Sequence, residues 1–180
     1  KKTMATTNKF TIKASTSFKA ALWAAFVNTL WIAFALGIFI WIGQHTNWSI
    51  NKDDWKVFIE ANKDTYTYLV WSLFGFTIIV LVVMVIAYIW ITVNSIVFIF
   101  TKNSFWTKIW SIITLAFGVL ILGLWSLNIA GQYVNTSSIQ GIMPEKGWEI
   151  VKLIASLGTY GLIITTGICK HCVRTSTTLK

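Results

Sequence analysis

TYTYLVWSLFGFTIIVLVVMVIAYIWITVNSIVFIFT, residues Thr65 to Thr101, contains no charged side chain. The run exceeds one simple bilayer crossing of about 20 residues, yet it is too short for two crossings joined by a turn. It reads as one over-long helix. Trp71 and Trp90 would stand roughly 28 Å apart along it, close to the thickness of a hydrocarbon core, and so mark two membrane interfaces. Ile91 to Phe100 then projects past the inner boundary or forces a strong tilt. In that projection Ile96, Phe98 and Phe100 are the expected contacts for a partner, because apolar surface left in water calls for cover.

The neighbouring segments repeat the pattern. Helix one is expected over 20–43, where Trp23 and Trp41 would lie roughly 27 Å apart. Helix three is expected over 105–133, with Trp106 and Trp110 at one end and Trp125 at the other. Helix four covers 149–172, with Trp148 at its start. The fold class is thus all-α, an integral membrane four-helix bundle over 20–172 whose second helix is over-long. A basic arm over 1–19 on the inner membrane surface and a basic tail over 173–180 flank it. Lysines precede the first apolar run as in a signal peptide, but the run is about twice the length of a signal core and has no small-x-small cleavage site, so it reads as an uncleaved anchor.

Composition agrees: of 180 residues 56% are hydrophobic and 12% charged, with a single proline, a balance that suits lipid as solvent. The net charge of +9 does not point to nucleic acid, because the lysines sit in the short polar segments beside apolar runs, where anionic headgroups are the expected counterpart. All six acidic residues, Asp53, Asp54, Glu60, Asp64, Glu145 and Glu149, fall in or beside the first and third connections. The arm, the second connection and the tail carry unopposed lysine and arginine, which places both termini in the cytoplasm, of a cell membrane, after an even number of crossings.

The first connection, Gln44 to Asp64, has Trp55, Phe58 and Ile59 at helical spacing behind Asp53 and Asp54. Either a short interfacial helix or an irregular loop fits. The third connection, around Gly141, Pro144 and Gly147, has turn chemistry. Asn47-Trp48-Ser49 and Asn135-Thr136-Ser137 match the glycosylation pattern on the expected outer side, at a frequency chance alone supplies.

Few residues could carry chemistry. Cys169-Lys170-His171-Cys172 is a CxxC that dithiol exchange could use, and Cys169, His171 and Cys172 are candidate zinc ligands. Nothing around it resembles a thioredoxin βαβ unit, and reduced thiols or a lipidation site fit equally. Asn28 and Asn94 near the inner boundary, and Asn128 and Gln132 near the outer one, are polar groups inside spans, suited to fixing helix register or lining a path. None is ionisable, which argues against a proton-coupled carrier. Small residues Ala33 and Gly37 on helix one, and Ala155, Gly158, Thr159 and Thr166 on helix four, permit close helix approach. Phosphate-cradling glycine loops, zinc-protease, nucleophile-elbow and EF-hand patterns do not occur, and no cofactor is implied.

Three functions follow. The first is a non-catalytic subunit packing against other membrane subunits or a second copy of itself. The second is a small transporter, channel or holin-like pore made by oligomerisation. The third is a membrane redox protein using the Cys169/Cys172 pair. Absent catalytic groups and abundant tryptophan favour the first.

Overall fold

The computed structural model describes residues 2–133 and 145–178, and apart from short turns these are helical. Helix α1 spans Lys2–His45, α2 Lys52–Ala61, α3 Lys63–Phe100, α4 Phe105–Tyr133 and α5 Glu145–Thr178. The segments Lys9–His45, Lys63–Phe100, Phe105–Leu127 and Leu153–Ser176 are each long and apolar enough to cross a membrane. The chain is therefore an all-α, multi-pass integral membrane protein. Helix α3, at 38 residues, is the single over-long rod expected from its uncharged run. It extends about 57 Å, nearly twice a hydrocarbon core.

One boundary differs from expectation, and one open alternative is decided. The stretch read as a surface arm is the beginning of α1, continuous with the first span. Its composition is polar, but Ala14 and Ser17 continue the phase of Ala21, Ala24, Asn28 and Trp31, and all six are buried. Residues at alternating steps of three and four line one side of a helix, so this stripe holds the basic turns in helical register. In the first connection, helix α2 forms where a loop was equally open. The Asn51 side chain accepts from the Asp53 amide at 3.1 Å, and Asp53 and Asp54 occupy the first turn, where carboxylates complement the positive helix end. Pro144, Gly141 and the second glycosylation pattern lie outside the described residues, as do the side chains of Asn128, Gln132 and Trp148.

The same spacing recurs on the other spans. In α3, Thr77, Val80, Met84, Ala87, Ile91, Asn94 and Phe98 are buried; in α4, Thr107, Ser111, Thr114, Ile121 and Trp125. Helix α5 buries Val151, Ala155, Thr159, Leu162, Thr166, Cys169 and Val173. Side chains off these seams, such as Leu30, Ile79, Ile86, Val119 and Ile164, are large, apolar and exposed, as lipid requires.

The chain divides into two compact units, Lys1–Ala25 with Val83–Lys180, and Phe26–Val82. In the first, α4 and α5 pack side by side. A Cβ placed on Gly161 would lie 2.6 Å from the Phe117 ring, and one on Gly158 would overlap Ile121, so these glycines set how closely the two helices approach. Across from them the Tyr88 hydroxyl donates to the Leu115 carbonyl at 3.3 Å.

In the second unit Trp31 Nε1 donates to Thr77 Oγ1 at 2.8 Å, and Phe34 meets Phe76 edge-on with centroids 6.4 Å apart. Helix α2 folds back on the end of α1: the Phe58 ring stacks on His45 at 5.2 Å and meets Trp41 at 5.1 Å. The intervening turn is strained, since Asn47 and Trp48 have φ of 49° and 54°, unusual above all for a residue as bulky as tryptophan. The Trp48 ring lies against Gly43, where any Cβ would overlap it, and Trp48 N–H donates to the Gly43 carbonyl at 2.8 Å. The Ser49 hydroxyl meets the Asp54 carboxylate, closing the turn onto α2.

Candidate functional site

The buried seams of the first unit carry hydroxyl, thiol and amide groups, and these converge where α1, α3, α4 and α5 meet. Asn94, 3% exposed, donates through Nδ2 to the Lys13 carbonyl at 3.1 Å and to Ser17 Oγ at 2.8 Å. Such bonds tie α3 to the amino-terminal turns of α1. Ser111 Oγ and Cys169 Sγ are 3.4 Å apart, joining α4 to α5; Thr114, Thr159 and Thr166 each donate to a carbonyl of their own helix, and Thr107 Oγ1 meets Ser104 Oγ just before α4. Ser17, Ser95, Thr114, Thr166 and Cys169, with Ala14 and Phe98, enclose a space of about 10 Å³, room for a single water. The arrangement can hold helices in register; it positions no base or nucleophile against a substrate-sized cavity.

Of the four amides proposed for packing or a pathway, Asn94 is thus used in interhelical bonding, and Asn28 is fully buried on the α1 seam. Alanine in place of Asn94 should cost about 1–2 kcal/mol, the range for polar contacts between membrane helices plus a small void. A detergent-solubilised Asn94→Ala variant that melts with the wild type would show that the α1–α3 bonds do not form.

The cysteine motif lies within α5. Cys169 is buried on the seam, Cys172 is half-buried and His171 is exposed on the same continuous helix. Both thiols are free, and among the described residues no group of three or more His, Cys, Asp or Glu side chains gathers as a metal site. A regular helix directs residues two apart to different sides, so His171 cannot join the cysteines without unwinding α5.

The tryptophans divide by phase. Trp23, Trp71, Trp90 and Trp106 are exposed, as interface residues must be, while Trp41 and Trp110 are half-buried. Trp125 was expected in the outer belt but is 0% exposed, with Nε1 3.4 Å from Thr159 Oγ1 on α5. Phe98, expected to face a partner, is likewise interior at 1% exposure; its neighbours Ile96 and Phe100, at 43% and 83%, remain at the surface. Both interior residues sit on heptad-spaced seams, which a search for apolar projection does not distinguish. A search for Ser, Thr, Asn and Ala at alternating steps of three and four would have separated them.

The two small-residue stripes have opposite fates. That of α5 is filled by α4, with Ala155 and Thr159 buried and Gly158 against Ile121. On α1, Ala33 and Gly37 are exposed, and a Cβ added to Gly37 would meet nothing within 4 Å. Comparison with protein-family models, curated proteins and solved structures gives no match to this chain.

Proposed function

We propose that the chain is a non-catalytic membrane subunit that packs with partner subunits in a larger membrane complex, with both termini on the cytoplasmic side of the cell membrane. The observation that carries this reading is the uncovered Ala33–Gly37 pair. In lipid, helices associate where small residues let backbones approach, and every other close approach of this kind noted above is filled from within the chain. Leu30, Leu36 and Ile40 border the pair and are exposed, which gives a second helix a ridge on either side of a shallow groove. Ile96 and Phe100 supply further uncovered apolar surface on α3. The orientation is supported by the distribution of lysine and arginine against the six carboxylates.

Leucine at both small positions tests the reading, because open space around Gly37 means the added side chains should not disturb the monomer. Extracted from native membranes in mild detergent, the wild type should migrate with the mass of an assembly. The Ala33→Leu/Gly37→Leu variant should migrate as the isolated chain with unchanged helicity and melting. A wild type that runs alone, or a variant that keeps its companions, would refute it.

A further inference from the structure

Around the core of Ala14, Phe98, Cys169 and Val173, the first unit gathers cations that are distant in sequence. Lys9 and Lys13 adjoin Phe10 and Ala14, and the Lys13 carbonyl is held by Asn94, so this part of α1 is fastened to α3. Lys102 lies just past the end of α3, four residues after Phe98, and Lys108 precedes Trp110, which packs on the same core. Lys170 and Arg174 each follow a core residue of α5, and Lys170 Nζ is held 4.9 Å over the Phe18 ring. Lys13, Lys108 and Lys170 are half-buried, as expected of lysines whose stems cover apolar surface. The stretches 1–52, 65–144 and 150–180, which supply all these cations, contain no acidic residue. Phe100, Phe105 and Trp106 stand exposed on the adjoining ends of α3 and α4.

We propose that this end of the first unit is a binding surface for the phosphate headgroups of anionic phospholipids in the surrounding bilayer. Charge complementarity names the occupant: several cations from stretches of sequence that hold no Asp or Glu, beside exposed aromatic rings, match the layer where lipid phosphates meet acyl chains. Scattered lysines would suffice to orient the spans. Cations brought together from three helices and a connection can instead meet more than one phosphate, which selects anionic over zwitterionic lipid. The inference does not depend on the presence of partner subunits.

The test uses the full chain purified in a zwitterionic detergent, with dioleoyl phosphatidylglycerol and dioleoyl phosphatidylcholine as probes and native mass spectrometry to count retained lipids. The wild type should retain phosphatidylglycerol in preference to phosphatidylcholine. Each cation near a charged lipid surface changes affinity roughly fivefold, so Lys108→Gln/Lys170→Gln/Arg174→Gln should weaken phosphatidylglycerol retention at least about tenfold. A control of equal charge loss, Lys52→Gln/Lys56→Gln/Lys63→Gln, should change it less than about twofold. Since Lys170 also packs on Phe18, Lys9→Gln/Lys102→Gln/Arg174→Gln serves where the first triple fails to fold. Equal losses in patch and control variants, or no loss in either, overturn the proposal. So does displacement of phosphatidylglycerol by millimolar inorganic phosphate, which would assign the surface to a soluble anion.

Discussion

Trp125→Ala should destabilise the protein by about 3–5 kcal/mol, the range for truncating a buried aromatic to alanine. The ring is wholly enclosed, and Thr159, which it meets on α5, is too small to fill the space its removal would leave. The indole N–H contact at 3.4 Å adds little, and Thr159 Oγ1 keeps its bond to the Ala155 carbonyl at 3.2 Å, so the loss is one of packing. Trp125→Phe retains most of the ring and should lose about 1 kcal/mol. Unfolding in graded denaturing detergent, followed by near-ultraviolet circular dichroism, measures both. An alanine variant within about 0.5 kcal/mol of wild type would mean that α4 and α5 do not meet here.

Phe98→Ala should have a comparable effect, about 3 kcal/mol or more. The ring is interior, 6.3 Å from the Phe10 ring and against Ala14, Cys169 and Val173. Its removal should release the amino-terminal turns of α1, and amide hydrogen exchange there should accelerate while exchange in Phe26–Val82 does not. Phe100→Ala, two residues on but 83% exposed, should stay within about 0.5 kcal/mol of wild type. Equal stabilities for the two alanine variants would remove the basis for placing Phe98 inside.

These two residues also show where sequence reading succeeds and fails for this chain. Four spans were legible because lipid imposes uniform hydropathy over about 20 residues, a requirement no local packing relaxes. The length of α3 followed from the absence of charge between Thr65 and Thr101. The interior was not legible by the same means, because in a helix that is apolar on every side hydrophobicity carries no phase. Here the phase is carried by Ser, Thr, Asn, Ala and Gly, so the buried face is the more polar one. Trp125 and Phe98 were misplaced because spacing along the helix was measured and angle around it was not. Polar composition concealed the arm, yet Ala14 and Ser17 keep the angle of Ala21 and Ala24. Of the candidate site, Asn94 was singled out from its residue type alone, as a group to fix register or to line a path. Its partners, a carbonyl and a serine hydroxyl on α1, could not be, since neither has a distinguishing signature in sequence.

The bonds from Asn94 to Lys13 and Ser17 join residues 81 and 77 positions apart. During synthesis the first helix therefore reaches the bilayer long before the amide that fastens its leading turns has been made. A nascent chain halted before α3 holds a correctly inserted helix whose basic turns have nothing to dock against. Maturation of this end is consequently a late event, complete only once α5 has also been made, since Cys169, Val173 and Lys170 pack against the same turns.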